Sequence, residues 1–246
     1  MRRWSVDLTS LLTPRRRRGI EYLDDPRVDG HVMRRSLRDV TVANRLFGGT
    51  RAIVSALDSE LDALRASRAT EATLLDVGTG LGDIPRRAQA VARQRGITLH
   101  LVGLDGSEVL ARAASATHLP CARGDARHLP FADRSVDFVV CSQLLHHFDG
   151  SDGPCVLREL NRVARRMVIV GELRRSWAAA AGIWVASFVL AFHPVSRHDG
   201  VVSVMRGFTK EELRMIVREV LGVEPEVRNR LGYRVTARWR PLGDTK

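Results

Sequence analysis

The chain has 246 residues, 44% of them hydrophobic, enough apolar material to bury a core as one domain with a helical appendage and too much for a disordered chain. Its formal net charge of +11 is almost wholly arginine, since only Lys210 and Lys246 are lysines, and an aromatic content of 5% leaves few platforms for stacking nucleic-acid bases. Cys121, Cys141 and Cys155 form no C-x-x-C pair and no secretory signal is visible, which argues against a disulfide framework or structural zinc and predicts a reduced, cytoplasmic setting.

In chain order, the contiguous run Arg15-Arg16-Arg17-Arg18 reads either as a solvated arm or as a contact for anionic lipid or nucleic acid. Glu21-Tyr22-Leu23-Asp24-Asp25-Pro26 is an acidic turn before a helix. Val32, Met33, Leu37, Val40 and Leu46 predict a helix from Val32 to Phe47 that stops at Gly48-Gly49. Ile53, Val54, Leu57, Leu61 and Leu64 mark a second amphipathic helix, so residues 1–70 are expected to form a basic arm and a helical cap.

Leu74-Leu75-Asp76-Val77-Gly78-Thr79-Gly80-Leu81-Gly82-Asp83 then joins a short apolar strand ending in an acid to closely spaced glycines and a helix start. Glycines let the backbone take positive φ and admit a ligand at close range, beside the unpaired N–H groups of the following helix. The spacing is G-x-G-x-G, not the G-x-G-x-x-G of dinucleotide sites. A second buried strand, Thr98 to Asp105, again ends in an acid, one strand–helix–strand unit later. Gly124-Asp125-Ala126-Arg127-His128-Leu129-Pro130-Phe131 follows. Ser135 to Phe148 then contains an apolar strand that runs into Ser142-Gln143-Leu144-Leu145-His146-His147. A helix over Cys155–Ala164 and a fifth strand over Arg166–Glu172 come next. Trp177 to Phe192, the most apolar stretch, is shorter than the roughly 20 residues needed to span a bilayer. It reads as a buried helix, as one wall of an apolar pocket, or as a membrane-touching helix flanked by Arg174, Arg175 and Arg197. Thr209 and Glu212 form a capping box, and Gly222–Val227 with Tyr233–Trp239 predict a closing hairpin.

The D-x-G-x-G-x-G loop, the two strand-end acids, the G-D-A-x-x-L-P-F stretch and the strand before His146 together resemble the class I S-adenosylmethionine-dependent methyltransferases over about residues 70–240. The resemblance implies an α/β, Rossmann-like, seven-stranded, mostly parallel sheet with helices on both faces, here with an N-terminal helical cap. It implies that S-adenosylmethionine is held by Asp76, Gly78, Thr79, Gly80, Gly82, Asp105, Gly106, Asp125, Ala126 and Ser142, with Asp76 toward its ammonium group, Asp105 on the ribose and Asp125 on the adenine amino group. No metal is expected. His146 and His147, imidazoles that titrate near neutral pH, are the candidate proton acceptors, one facing the cofactor and one the core; His193 and His198 are weaker ones. The methyltransferase domain is expected over 71–246, with an apolar lid over 177–205 whose Trp184 and Phe188 line the pocket. The expected reaction is O-methylation, or less readily C-methylation, of a small apolar acceptor of polyketide, aromatic or quinone type. The alternatives are an RNA methyltransferase, disfavoured because no N-P-P-Y or D-P-P-Y follows the fourth strand, and a catalytically silent binding subunit. Peripheral membrane contact is compatible with the sequence, and oligomeric state is not legible in it.

Overall fold

A computed structural model describes residues 13–25 and 27–241; Pro26 and the first twelve residues of the expected arm lie outside the described residues. Seven strands form one sheet: β1 (Glu71–Val77), β2 (Thr98–Asp105), β3 (Cys121–Arg123), β4 (Val136–Ser142), β5 (Ala164–Leu173), β6 (Glu226–Arg230) and β7 (Arg234–Trp239). Their order is β3-β2-β1-β4-β5-β7-β6, parallel throughout except for β7, which runs antiparallel to both β5 and β6. The expected α/β fold class, with its closing hairpin, is the observed one. The chain winds outward in opposite directions from β1 and β4, and at such a switch point a crevice opens beyond the carboxyl ends of the strands.

The central strands are apolar on both sides because helices cover both faces. Leu74 of β1, Phe138 of β4 and Ile169 of β5 pack under α2 (Gly49–Ala66) and α3 (Asp83–Gln94). Leu75, Val139 and Val168 pack on the opposite face under α5 (Asp152–Val163) and α8 (Lys210–Leu221). Asp137 ties β4 to β1 by accepting from the backbone N–H and hydroxyl of Thr73, both at 3.0 Å. Ile53, Leu57 and Leu61 of α2 share the first of these cores, so a division at residue 70 runs through a common interior.

Several local expectations need correction. Helix α1 (Gly30–Leu46) is capped by the Asp29 carboxylate and stops where expected, but α2 starts at once, because Gly48 at φ 75° reverses the chain without a linker. The apolar stretch is not one element: α6 (Trp177–Val189) ends before Phe192, and α7 (Pro194–Arg206) follows as a helix missed in the sequence. Its weak hydrophobic period concealed it, although His193 at the N-cap and Pro194 at the first turn are helix-start signals. Gly222, at φ 67°, caps α8 and is not the first residue of β6. Cys141 is fully buried, whereas Cys121 on edge strand β3 is only half-buried and is no core residue.

The arginine run is not a free arm. Arg16 Nε donates to the Arg206 carbonyl at 2.7 Å and its guanidinium lies 4.2 Å from the Phe208 ring centroid; Arg17 N–H donates to the Met205 carbonyl, and Arg18 sits 3.4 Å from Asp149. No helix among the described residues is long and apolar enough to cross a membrane.

Candidate functional site

Two cavities open beyond the carboxyl ends of the strands and meet at Leu23 in the 3-10 turn Tyr22–Asp24. The first, a cleft of about 750 Å³, is lined by Gly78 and Gly80 of the glycine loop, Asp105 and Gly106 at the end of β2, and Asp125 and Ala126 after β3. His147 and Leu144 close it on the β4 side.

Gly78, Gly80 and Gly82 all have positive φ, and each does so for a different reason. A Cβ on Gly78 would stand 2.9 Å from Leu144, and one on Gly82 would stand 2.6 Å from Leu119. A Cβ on Gly80 would meet nothing within 4 Å and would stand in the open cleft, so the protein's own demand for glycine there is the φ of 54°. The loop is fixed through Asp105, whose carboxylate accepts from the N–H of Gly80 and from that of Ser107, each at 2.9 Å. Burial outweighs those two bonds and raises the Asp105 carboxyl.

Asp76 lies behind the loop, 2% exposed, with one oxygen accepting from the Thr79 hydroxyl at 2.8 Å and the other buried without a partner. Burial pushes its carboxyl up to about 7. Thr79 is its tether and Gly82 the N-cap of α3, so neither these three residues nor Ser142 lines the cleft. Ser142 borders a separate small pocket with Gly171 and Glu172. Asp125 is on the cleft wall, but its carboxylate is committed to the backbone and guanidinium of Arg127, which holds it below the usual range. Sequence reasoning missed Met33 and Leu37 of α1, Leu144, and Ser107, the N-cap of α4 (Glu108–Ser115). Of these, only the helix-start position of Ser107 carried a local signal.

The two histidines occupy a 3-10 turn, Leu145–His147, that sends them to different places. His147 reaches the cleft, and its Nδ1 lies 2.7 Å from the Asp24 carboxylate. Burial works to raise Asp24, but bonds from His147 and Arg206 overcome it and keep the carboxyl well below its ordinary value. His146 is 2% exposed and lines neither cavity; its Nδ1 is 2.7 Å from Glu172, and its Nε2 has no hydrogen-bond partner. Glu21 approaches both imidazoles, at 3.7 Å from His146 and 3.9 Å from His147. His193 caps α7, and His198 pairs with Asp199.

The second cavity, about 340 Å³, lies under α1, α6 and α7 and is largely apolar. Val40, Ala43 and Phe47 of α1 face Ala179, Gly182 and Ile183 of α6, with Phe192 and Val204 beside them. Trp184 and Phe188, expected on this wall, point outward instead. They are 52% and 50% exposed, packed edge to face, with Arg197 over the Phe188 ring. Ala179 and Gly182 of α6, with Ile183 beside them, face inward and leave the space between the helices open. At the sheet end the cavity is polar, with Gln143 and Arg234.

Residues 75–170 match the protein family described as methyltransferase domain. The chain is 35% identical over 96 residues to a demethylmenaquinone methyltransferase from Thermotoga maritima, a match that covers 38% of this chain and 39% of the length of that relative. Among solved structures, a Pyrococcus horikoshii protein is similar with a TM-score of 0.55 at 18% identity, over 78% of this chain and 91% of its own. A SAM dependent methyltransferase from Aquifex aeolicus is similar with a TM-score of 0.52 at 15% identity, over 74% and 89%. The glycine loop and both strand-end acids fall inside the matched stretch, so residues 75–170 carry a methyltransferase domain, within a sheet whose strands run on to Trp239.

Proposed function

We propose that the protein transfers a methyl group from S-adenosylmethionine to a small, mainly apolar acceptor, by O-methylation of a phenol or enol of aromatic, polyketide or quinone type. The observation that carries this reading is the pairing of a glycine-lined cleft with a separate apolar cavity that meets it at Leu23. The similarity to the Thermotoga maritima demethylmenaquinone methyltransferase supports a quinone-like acceptor.

The residues present fit the cofactor. Gly80 leaves open space where any side chain would intrude, and Asp76, buried behind the loop, holds it through the Thr79 hydroxyl. Asp105 offers a carboxylate on the cleft wall for hydroxyl donors, as the family resemblance implies for a ribose. When bound, the cofactor supplies an already activated methyl group, so the protein's work is to orient the acceptor, exclude water and take up a proton. His147 is the proton acceptor in this reading: it lines the cleft, and with Asp24 accepting from Nδ1–H the lone pair is on Nε2, 3.9 Å from Glu21. Asp24 and Arg206 are positioning residues, and His146 with Glu172 buttresses the turn from behind.

Incubation with S-adenosylmethionine labelled in its methyl group and a panel of naphthoquinols and alkylphenols tests the proposal. Labelled, organic-extractable product that is lost in His147→Gln, with cofactor affinity retained, is the expected result. Cofactor binding with no transfer to any of them would support the silent-subunit reading instead.

A further inference from the structure

Three buried guanidiniums lie near the two cavities, and two of them are fully answered. Arg175 bonds Glu212 and two backbone carbonyls, and Arg206 bonds Glu21, Asp24 and the carbonyls of His146 and His147. Arg234, 5% exposed on the wall of the apolar cavity, is different. Its Nη1 donates to the Gln143 side-chain oxygen at 2.7 Å, its Nε is buried without a partner, and no carboxylate of the described residues forms an ion pair with it. Glu172 is the acid whose charge favours it, but that carboxylate is held by the ring and backbone of His146. Burial lowers the guanidinium to about 10, which leaves it charged at neutral pH.

The carboxylates that share the cavity wall are already satisfied. Asp39 accepts from His193 N–H and the Ser196 hydroxyl, Asp199 from the N–H groups of Tyr22 and Leu23, and Glu21 from Arg206. The bracket that holds Arg234 is itself costly. Gln143 stands at φ 53°, a region an L residue enters at a cost of order 1 kcal/mol or more, and is kept there by its N–H bond to Gly171 and its side-chain bond to Asn44. An uncompensated buried charge is similarly unfavourable unless something pairs with it.

We propose that Arg234 is an anion anchor, and that the ligand of this cavity is an amphiphile whose apolar body lies between α1, α6 and α7 and whose carboxylate pairs with the guanidinium. This rests on the reading of the cavity as the acceptor site. It narrows the acceptor class from apolar phenols to aromatic or polyketide-like acids, because a planar guanidinium meets a carboxylate through two parallel hydrogen bonds.

Calorimetric binding of 6-pentylsalicylate and 3-pentylphenol, which share an alkyl phenol body and differ by the carboxylate, tests the proposal without requiring turnover. Wild-type protein is expected to bind the acid at least about tenfold more tightly than the phenol, Arg234→Gln to lose that preference, and Arg234→Lys to keep part of it, with S-adenosylmethionine affinity unchanged as the folding control. Equal binding of the two probes by the wild type, or binding of neither, overturns the proposal, as does a preference that survives in Arg234→Gln. The wild-type comparison decides even if the variants do not fold. A carboxylate preference found in a protein that transfers no methyl group would count against the proposed reaction and leave the anchor standing.

Discussion

The glycine-lined cleft and the apolar cavity touch at Leu23 yet are built on different terms. The floor of the cleft is backbone: Gly78 and Gly80 at positive φ, and the two N–H groups gathered by Asp105, with Asp76 buried behind the loop. The cavity is made of side chains converging from the turn at Glu21, α1, α6, α7 and the start of β7. Backbone geometry set by a strand–loop–helix unit tolerates almost no substitution. A wall assembled from separate helices can be resized residue by residue, which separates a fixed cofactor from an adjustable acceptor.

That separation can be broken from either side. Asp105→Ala removes the acceptor of two loop N–H groups, and cofactor affinity is expected to fall roughly 10- to 100-fold by calorimetry, because an unmade bond to a charged group costs about 1.5–3 kcal/mol. Gly182→Leu places a side chain into the acceptor cavity from a helix position with nothing within 4 Å of its Cβ. It is expected to raise the acceptor KM about tenfold or more through lost volume, with cofactor Kd unchanged and thermal stability equal or higher, since glycine inside a helix costs up to ~1 kcal/mol. Equal damage to both ligands by either variant would merge the two compartments.

Asp76 sharpens the comparison through pH. Its carboxyl is raised to about 7 by burial, so the folded protein binds this proton more tightly than the unfolded chain. Stability contributed by the group is present at low pH and is lost as pH rises from about 4 to about 7, with a slope of at most about 1.4 kcal/mol per pH unit. Asp76→Asn should flatten that decline in chemical denaturation series; an unchanged slope would mean that Asp76 is not protonated in the fold. The smallest effect is expected at Trp184→Ala, on the outer face of α6. Acceptor KM and cofactor Kd should stay within about twofold, because only an exposed aromatic pair is lost.

The contrast also explains what could be read from the sequence. Asp76 to Asp83 declares itself within ten residues because strand end, turn and helix start are local events, and the mostly parallel sheet followed from such units repeated, though not the order of its strands. Which histidine faces the cleft depended on the phase of a single 3-10 turn, which adjacent identical residues cannot reveal. The cavity wall was misassigned at Trp184 and Phe188 because large apolar residues were taken to face inward, whereas α6 turns Ala179, Gly182 and Ile183 to the cavity and those two aromatics outward. Arg234 gave no signal at all, being one arginine in a chain rich in them, distinguished in three dimensions by burial without an ion-pair partner among the described residues.

The central claim, that the glycine loop serves the cofactor alone and the helical wall serves the acceptor alone, is tested most directly by titrating S-adenosylmethionine calorimetrically into wild type, Gly80→Val and Gly182→Leu. The account predicts binding in the micromolar range for wild type and for Gly182→Leu. For Gly80→Val it predicts no measurable binding in a protein that still unfolds cooperatively, because the added side chain enters the open cleft and clashes with nothing, although at φ 54° it lowers the midpoint of unfolding. Undiminished binding by Gly80→Val, or binding lost in Gly182→Leu, would contradict it.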